Sequence, residues 1–187
     1  VAQADEAQTI TGNEFSLNGA YGLLNVNSLS TNPVNVTIDS NLFEDNSSDG
    51  LLSSAAVITR NTISGNWYPI SVTGRVGNSY GDPVDSSDDN QISGNRYDNA
   101  VGFRDYADVS GTLPTVFPVD ITSEVYVVTG GNPDVANGTT LQITPGNVIK
   151  FEPQRRITVY GVLIARGTPG QKIVFTSYRD STFGGKT

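Results

Sequence analysis

The 187-residue chain contains no cysteine, no methionine and no histidine. These absences remove the side chains on which disulfides and zinc, haem and iron–sulfur sites usually depend. A chain without methionine also lacks an initiator residue, which indicates a processed protein or a piece of a longer one. No apolar run approaches the roughly 20 residues that span a bilayer, so no membrane span is expected.

Positive charge is also scarce. Eleven basic residues against nineteen acidic ones give a net charge of −8, and no cluster of Lys or Arg offsets it. Such a surface repels phosphate backbones, so nucleic acid is not an expected partner. Asn, Gly, Ser, Thr and Val are abundant, a composition that favours short strands and turns over helices.

A short phrase occurs four times within residues 9–103, at intervals of 28, 20 and 29 residues, which are near the repeat lengths of solenoids. Each copy contains an Asn, an apolar residue two positions later, and a second Asn. An Ile stands three residues before the first Asn in three copies, and Ser87 takes that place in the fourth. The first Asn is Asn13, Asn41, Asn61 or Asn90, the apolar residue is Phe15, Phe43, Ile63 or Ile92, and the second Asn is Asn18, Asn46, Asn66 or Asn95.

The repeated phrase predicts one turn of a parallel β-helix per copy, with the asparagines at its corners. Asn tolerates the left-handed backbone region, so we expect the asparagines themselves to form the bends. Stacked about 4.8 Å apart, their side-chain amides would bond along the axis. The alternative is a β-sandwich of unrelated strand–turn units, since sandwiches have similar turn spacing. No sustained helical period is present.

From about residue 112 the Asn phrase gives way to alternating Val- and Ile-rich segments punctuated by Gly and Pro. The sequence therefore predicts two segments. Residues 1–111 form Asn-rich coils, and residues 112–187 form smoother coils that continue the first segment or a neighbouring subunit. About seven to eight coils are expected in all.

The phrase GTTLQITPGNVIKFEPQRRITVYGVLIARGTPGQKIVFTS, within residues 137–180, carries a family resemblance. It resembles the right-handed parallel β-helix repeat proteins of the bacterial cell surface or secreted type, which share the pectin-lyase-like superfold. The resemblance implies an all-β, right-handed parallel β-helix and an extracellular location. It implies little about chemistry, because the group is functionally mixed. In that group such a phrase often introduces a β-helix, whereas here it comes last, which suggests open ends that meet neighbours.

Candidate chemical sites are few. The aspartates of the loop GDPVDSSDDN are dense enough to bind Ca²⁺, the one candidate ion in a chain that is expected to require no cofactor; they are Asp82, Asp85, Asp88 and Asp89. The favoured interpretation of these aspartates is nevertheless a solvated acidic loop. A second set of residues predicts either an exposed aromatic contact strip or the cover of a core corner, namely Trp67, Tyr68, Tyr97 and Tyr106. Asn-x-Ser/Thr sequons occur at Asn35, Asn46 and Asn137.

Catalysis is not expected. β-Helices also include polysaccharide lyases and glycosidases, which need paired carboxylates or a basic residue beside bound calcium. The only nominees are Asp105 and Asp108 and the basic group Lys150, Arg155 and Arg156, and neither set repeats at coil spacing.

The sequence thus predicts an extracellular structural protein, a subunit or segment of a filament or adhesin-like surface assembly. Its partners would be further copies, or flanking repeats, stacked end to end. The alternative is a protein that binds or cleaves polysaccharide on a lateral face.

Overall fold

A computed structural model describes residues 8–25, 36–53, 56–73, 75–76, 90–97, 100–104, 110–113 and 125–187. These residues form short strands, and they include no helix long and apolar enough to cross a membrane. The strands are β1 Gln8–Thr11, β2 Glu14–Ser16, β3 Leu23–Asn25, β4 Val36–Asp39, β5 Leu42–Glu44, β6 Leu51–Ser53, β7 Ala56–Thr59, β8 Thr62–Ser64, β9 Ile70–Val72, β10 Arg75–Val76, β11 Gln91–Ser93, β12 Val101–Phe103, β13 Ser110–Leu113, β14 Val125–Val128, β15 Asp134–Val135, β16 Thr140–Ile143, β17 Val148–Phe151, β18 Thr158–Val159, β19 Val162–Ala165 and β20 Val174–Ser177.

Consecutive strands enter different sheets, and each strand pairs with strands from neighbouring turns. The order is β1-β4-β7 in sheet I, β2-β5-β8-β11 in sheet II, β3-β6-β9-β12-β14-β17-β20 in sheet III, β10-β13-β16-β19 in sheet IV and β15-β18 in sheet V. Every pairing in the described residues is parallel. The chain therefore winds as a parallel β-solenoid. The predicted all-β parallel winding is confirmed, and the antiparallel β-sandwich is excluded.

The winding has about five turns, fewer than the seven to eight predicted. The turns that lie wholly within described residues are β1–β3, β4–β6, β7–β9, β15–β17 and β18–β20. Strands β10–β14 are separated from one another by residues outside the described part. They extend the sheets but form no complete turn within the described residues.

The interior is built from columns of apolar residues in register. In sheet III one inward column contains Leu51, Ile70, Val101, Tyr126 and Ile149, all fully buried. Alternation along a strand puts these residues on one face, and parallel pairing places each above the next. Burial of such a side chain stabilises the fold by about 1.5–3 kcal/mol.

The predicted division between residues 111 and 112 falls inside β13. Sheet III continues across that position, because β12 pairs with β14 and places Val101 opposite Tyr126. One apolar cluster includes both Phe43 and Ile149. The described residues on both sides therefore share one interior, and a division into two domains stays a prediction.

The outer face of sheet III is covered as well. A second apolar cluster there contains Val125 and Val148. The segment after β20 folds back over this cluster, so that a Cβ added to Gly184 would clash with Cγ2 of Val125. Lys150 is fully buried beneath the same segment and donates from Nζ to the carbonyl of Gly185 at 2.6 Å.

Candidate functional site

The first asparagine of each phrase belongs to a ladder between sheets I and II. Oδ1 of Asn41 accepts the backbone N–H of Asn13 at 3.0 Å and its side-chain Nδ2 at 3.2 Å. The same two bonds join Asn41 to Asn61 at 2.9 and 3.0 Å, and Asn61 to Asn90 at 3.0 and 2.8 Å. Nδ2 of Asn61 also donates to the carbonyl of Ile38, one turn back, at 2.9 Å.

The second asparagine of each phrase forms a parallel ladder between sheets II and III. Backbone N–H groups donate to the next Oδ1 at 3.1, 3.1 and 2.9 Å along Asn18, Asn46, Asn66 and Asn95. The corresponding Nδ2 bonds measure 2.8, 2.8 and 3.0 Å. Six of the eight ladder asparagines are buried, a placement that an amide tolerates only when it is hydrogen-bonded.

The left-handed residues at the corners are not the asparagines, so that expectation is wrong. The bend falls on the residue before, which is Ser40, Arg60 or Asp45 in three cases, with φ of 56°, 53° and 51°. Gly65 and Gly94 precede ladder asparagines in the same conformation. The ladder explains why the left-handed residue lies one position before the asparagine. The asparagine must keep its N–H and its side-chain amide aligned with the solenoid axis, so the preceding residue makes the bend.

One corner carries an ion pair. Arg60 donates from Nε and Nη2 to the two carboxylate oxygens of Asp39, both at 2.8 Å, and Thr59 Oγ1 donates to Oδ1 at 2.9 Å. The hydrogen bonds from Arg60 are the largest cause that lowers the pKa of Asp39 below its usual value, and burial opposes them. Half of the Arg60 side chain remains exposed, so solvent screens the pair.

Three of the four predicted aromatic residues come together where sheet II turns into sheet III. Trp67 is 40 % exposed, and its ring lies 6.3 Å from that of Tyr97. Tyr97 stacks on Tyr68 at 4.8 Å, and the guanidinium of Arg96 lies 4.3 Å from the Trp67 centroid. Tyr68 is buried, and its burial raises the pKa of its hydroxyl. Trp67 is therefore an exposed aromatic residue, whereas Tyr68 is buried and covers a corner of the core. Tyr106 lies outside the described residues.

Sequence reasoning missed a buried ion pair on the outer face of sheet III. Arg104 donates from Nη2 to Oδ1 of the fully buried Asp49 at 2.7 Å, and its guanidinium lies 5.7 Å from the Tyr21 ring. Burial is the largest single cause and lowers the pKa of Arg104, but the hydrogen bond and the charge of Asp49, together with Tyr21 and Tyr68, outweigh it and the pKa is raised. The two residues are 55 positions apart, and no sequence rule pairs them at that separation.

The predicted basic group does not form one site. Lys150 is buried under the segment after β20, and this burial lowers its pKa while Asp180 opposes the shift. Arg156 is exposed in the turn after β17, where its backbone N–H donates to Oδ1 of Asn132 at 3.1 Å. Arg155 lies in the same turn, partly buried, and its backbone N–H donates to the carbonyl of Glu152 at 3.0 Å. The remaining nominees, Asp105 and Asp108, lie outside the described residues.

The four aspartates predicted to bind Ca²⁺ also lie outside the described residues, so that site stays a prediction. Within the described part of the chain, no three His, Cys, Asp or Glu side chains converge as a metal site. Of the sequons, Asn35 lies outside, Asn137 is exposed, and Asn46 is buried in the second ladder with its amide hydrogen-bonded. A glycan on Asn46 would therefore disrupt the ladder.

The first described coil (β1–β3) and the last (β18–β20), here called the open rungs, leave inward apolar side chains partly exposed to solvent. Phe15 is partly exposed, whereas Phe43, stacked on it at 5.0 Å, is fully buried. At the other end Phe175 is 47 % exposed, although Ile149, its partner in register, is fully buried. Among the described residues β1, β2 and β3 pair on one side only, and so do β18, β19 and β20.

No protein-family model, curated protein or solved structure matches this chain. The parallel β-solenoid is shown by the strand pairing, whereas membership of the pectin-lyase-like or bacterial surface group stays a prediction.

Proposed function

We propose that the protein is a structural β-solenoid, a subunit or segment of an extracellular filament or surface assembly that lengthens by stacking further coils on its open rungs. The observation that carries this proposal is the exposure gradient at the last rung, where Phe175 is 47 % exposed and Ile149 beneath it is buried. A coil placed on that rung would remove the apolar surface from water, as every internal coil does.

Backbone groups favour the same arrangement. The outer edges of β18, β19 and β20 carry no further strand among the described residues. Such edges are templates for pairing, because each added strand satisfies a row of N–H and C=O groups. Stacking thus combines apolar burial with hydrogen bonding along one axis.

The two ladders suit a load-bearing rod. Each buried rung is fixed to the next by a backbone and a side-chain hydrogen bond at both corners of sheet II. This function is mechanical and requires no cofactor. The resemblance of residues 137–180 to secreted and surface-attached β-helix proteins supports an extracellular location.

The test is to introduce a charge on the open rung. In the unmodified protein, sedimentation velocity should show association that increases with concentration, and electron microscopy should show rods. Phe175→Glu should abolish this association, because a carboxylate would be buried between coils. The matched control is Val57→Glu on the lateral face of sheet I, where Val57 is 42 % exposed.

Val57→Glu should leave association unchanged. The proposal fails if the unmodified protein stays monomeric at high concentration. It also fails if both substitutions reduce association equally, because the contact would then not be specific to the end of the solenoid.

Carbohydrate binding is the second candidate, and the exposed Trp67 beside Arg96 and Tyr97 is the observation that favours it. Aromatic faces pack on sugar rings, and a guanidinium pairs with a sugar carboxylate. Affinity electrophoresis in gels containing acidic polysaccharide should show retardation that Trp67→Ala removes and Tyr160→Ala, at an exposed aromatic residue elsewhere, retains. Equal mobility with and without polysaccharide would exclude this candidate.

A further inference from the structure

We infer that Asn18 is a site of spontaneous deamidation, and that its reactivity arises from its place on the first described rung of the second ladder. Asn18 is followed by Gly19, and the chain has one other Asn-Gly pair, at Asn137–Gly138. Glycine leaves the following backbone nitrogen unhindered, because it has no side chain beside the reacting atoms. The seven other ladder asparagines are all followed by larger residues.

Hydrogen bonding separates this rung from the others. After each of the six buried ladder asparagines, the next residue donates its backbone N–H to the preceding turn, as Ser47 does to Asn18 at 2.9 Å and Arg96 to Asn66 at 2.9 Å. The N–H of Gly19 has no acceptor among the described residues. Within the described part of the chain, the nitrogen that must attack Asn18, that of Gly19, therefore has no hydrogen bond to break, whereas the corresponding nitrogens at the buried asparagines do.

Exposure acts in the same direction. Asn18 is exposed, whereas Asn46 and Asn66 above it are buried. Water and hydroxide reach the first rung directly, and they reach the buried rungs only through local opening. Asn13 is the internal comparison, because it is exposed on the same rung but is followed by Glu14.

The chemistry needs only water and a solvent base. The base removes the proton of the Gly19 backbone nitrogen, which attacks Cγ of Asn18; the new N–Cγ bond forms, the Cγ–Nδ2 bond breaks and ammonia leaves. Water then opens the cyclic imide at either carbonyl, giving Asp or isoaspartate at position 18. No oxidant or reductant takes part.

The product alters the first rung. Nδ2 of Asn18 now donates to Oδ1 of Asn46 at 2.8 Å, and after conversion a carboxylate oxygen would face that acceptor. A hydrogen bond is replaced by repulsion between two acceptors. Conversion would therefore loosen the first turn from the second.

The experiment follows each asparagine by mass spectrometry while a dilute solution of the protein ages in mildly alkaline buffer. Proteolysis after Glu and Asp separates Asn13 from Asn18, because Glu14 lies between them. Asn18 should convert at least about fivefold faster than any buried ladder asparagine, because at each buried position the following backbone N–H must first break its hydrogen bond. It should also convert faster than Asn13. The exposed Asn137–Gly138 pair shows that the conditions suffice.

Gly19→Ala is the decisive variant. A Cβ at Gly19 would have no atom within 4 Å, so the fold should be retained, and unchanged thermal unfolding would verify this. Conversion of Asn18 should fall to the rate of Asn13. The inference is overturned if Asn13 and Asn18 convert equally in the unmodified protein, or if Gly19→Ala leaves the rate of Asn18 unchanged. Both comparisons use dissociated protein, so they do not depend on coil stacking.

Discussion

The side-chain amide of Asn61 donates a hydrogen bond to the side-chain carbonyl of Asn90 at 2.8 Å, although 29 positions separate them in the chain. The same contact joins Asn41 to Asn61 across 20 positions, at 3.0 Å. The ladder therefore fixes the register between turns whatever the length of chain that connects them. Slippage by one residue would turn every inward side chain outward and also break both bonds of each rung.

Asn61→Ala should destabilise the protein by at least about 3 kcal/mol, because it leaves buried polar groups without partners. Among these are the backbone N–H of Asn41 and the carbonyl of Ile38. The matched control is Asn13→Ala, which removes an exposed amide bonded to one neighbouring turn and should cost about 1 kcal/mol. Urea unfolding measures both. Equal losses at the two positions would contradict a ladder that depends on burial.

The solenoid was predictable from the sequence because the Asn phrase, which corresponds to one turn, occurs four times. The bend position was not, because the tolerance of Asn for left-handed backbone is a property of the isolated residue, whereas the ladder imposes the orientation of its amide. Arg60 bends the chain only because Asn61 must stay aligned with Asn41 and Asn90. The pair of Asp49 with Arg104 crosses turns of unequal length and leaves no periodic signal.

Leu17→Gly should stabilise the protein. Leu17 is 80 % exposed and has a φ of 56°, a conformation that costs a branched side chain about 1–2 kcal/mol and glycine almost nothing. The greater freedom of glycine in the unfolded chain offsets part of this, so a net gain of about 0.5 kcal/mol is expected. Leu24→Gly is the control, at an exposed leucine within β3, and it should destabilise. Chemical unfolding of both variants decides the sign, and a loss of stability in Leu17→Gly would contradict a left-handed conformation at Leu17.

Acid should weaken the corner pair of Asp39 and Arg60. The pKa of Asp39 is lower in the folded than in the unfolded protein, so the pair stabilises fully above the usual value of 3.8, and this contribution disappears as the pH falls through the folded-state pKa. Arg60→Gln removes the charge but keeps a side chain at the left-handed position. Near neutral pH it should cost less than about 1 kcal/mol, because the pair is half exposed.

The difference between the protein and Arg60→Gln should shrink towards zero as the pH is lowered below that range. Urea unfolding over a pH series measures it. A difference that is constant with pH would show that Arg60 acts through packing of its aliphatic stem and not through the charge of Asp39.

The buried pair of Asp49 and Arg104 gives the largest expected coupling. Arg104→Met leaves the Asp49 carboxylate buried without its cation, and Asp49→Leu leaves the guanidinium without its anion; each should cost about 3 to 5 kcal/mol. The double substitution removes both charges and fills their volume with apolar atoms, so its loss should be smaller than either single loss. Thermal and urea unfolding of the four proteins close the cycle. If the single losses simply added, the contact between turns would carry no energy of its own, and the outer face of sheet III would be held by its apolar cluster alone.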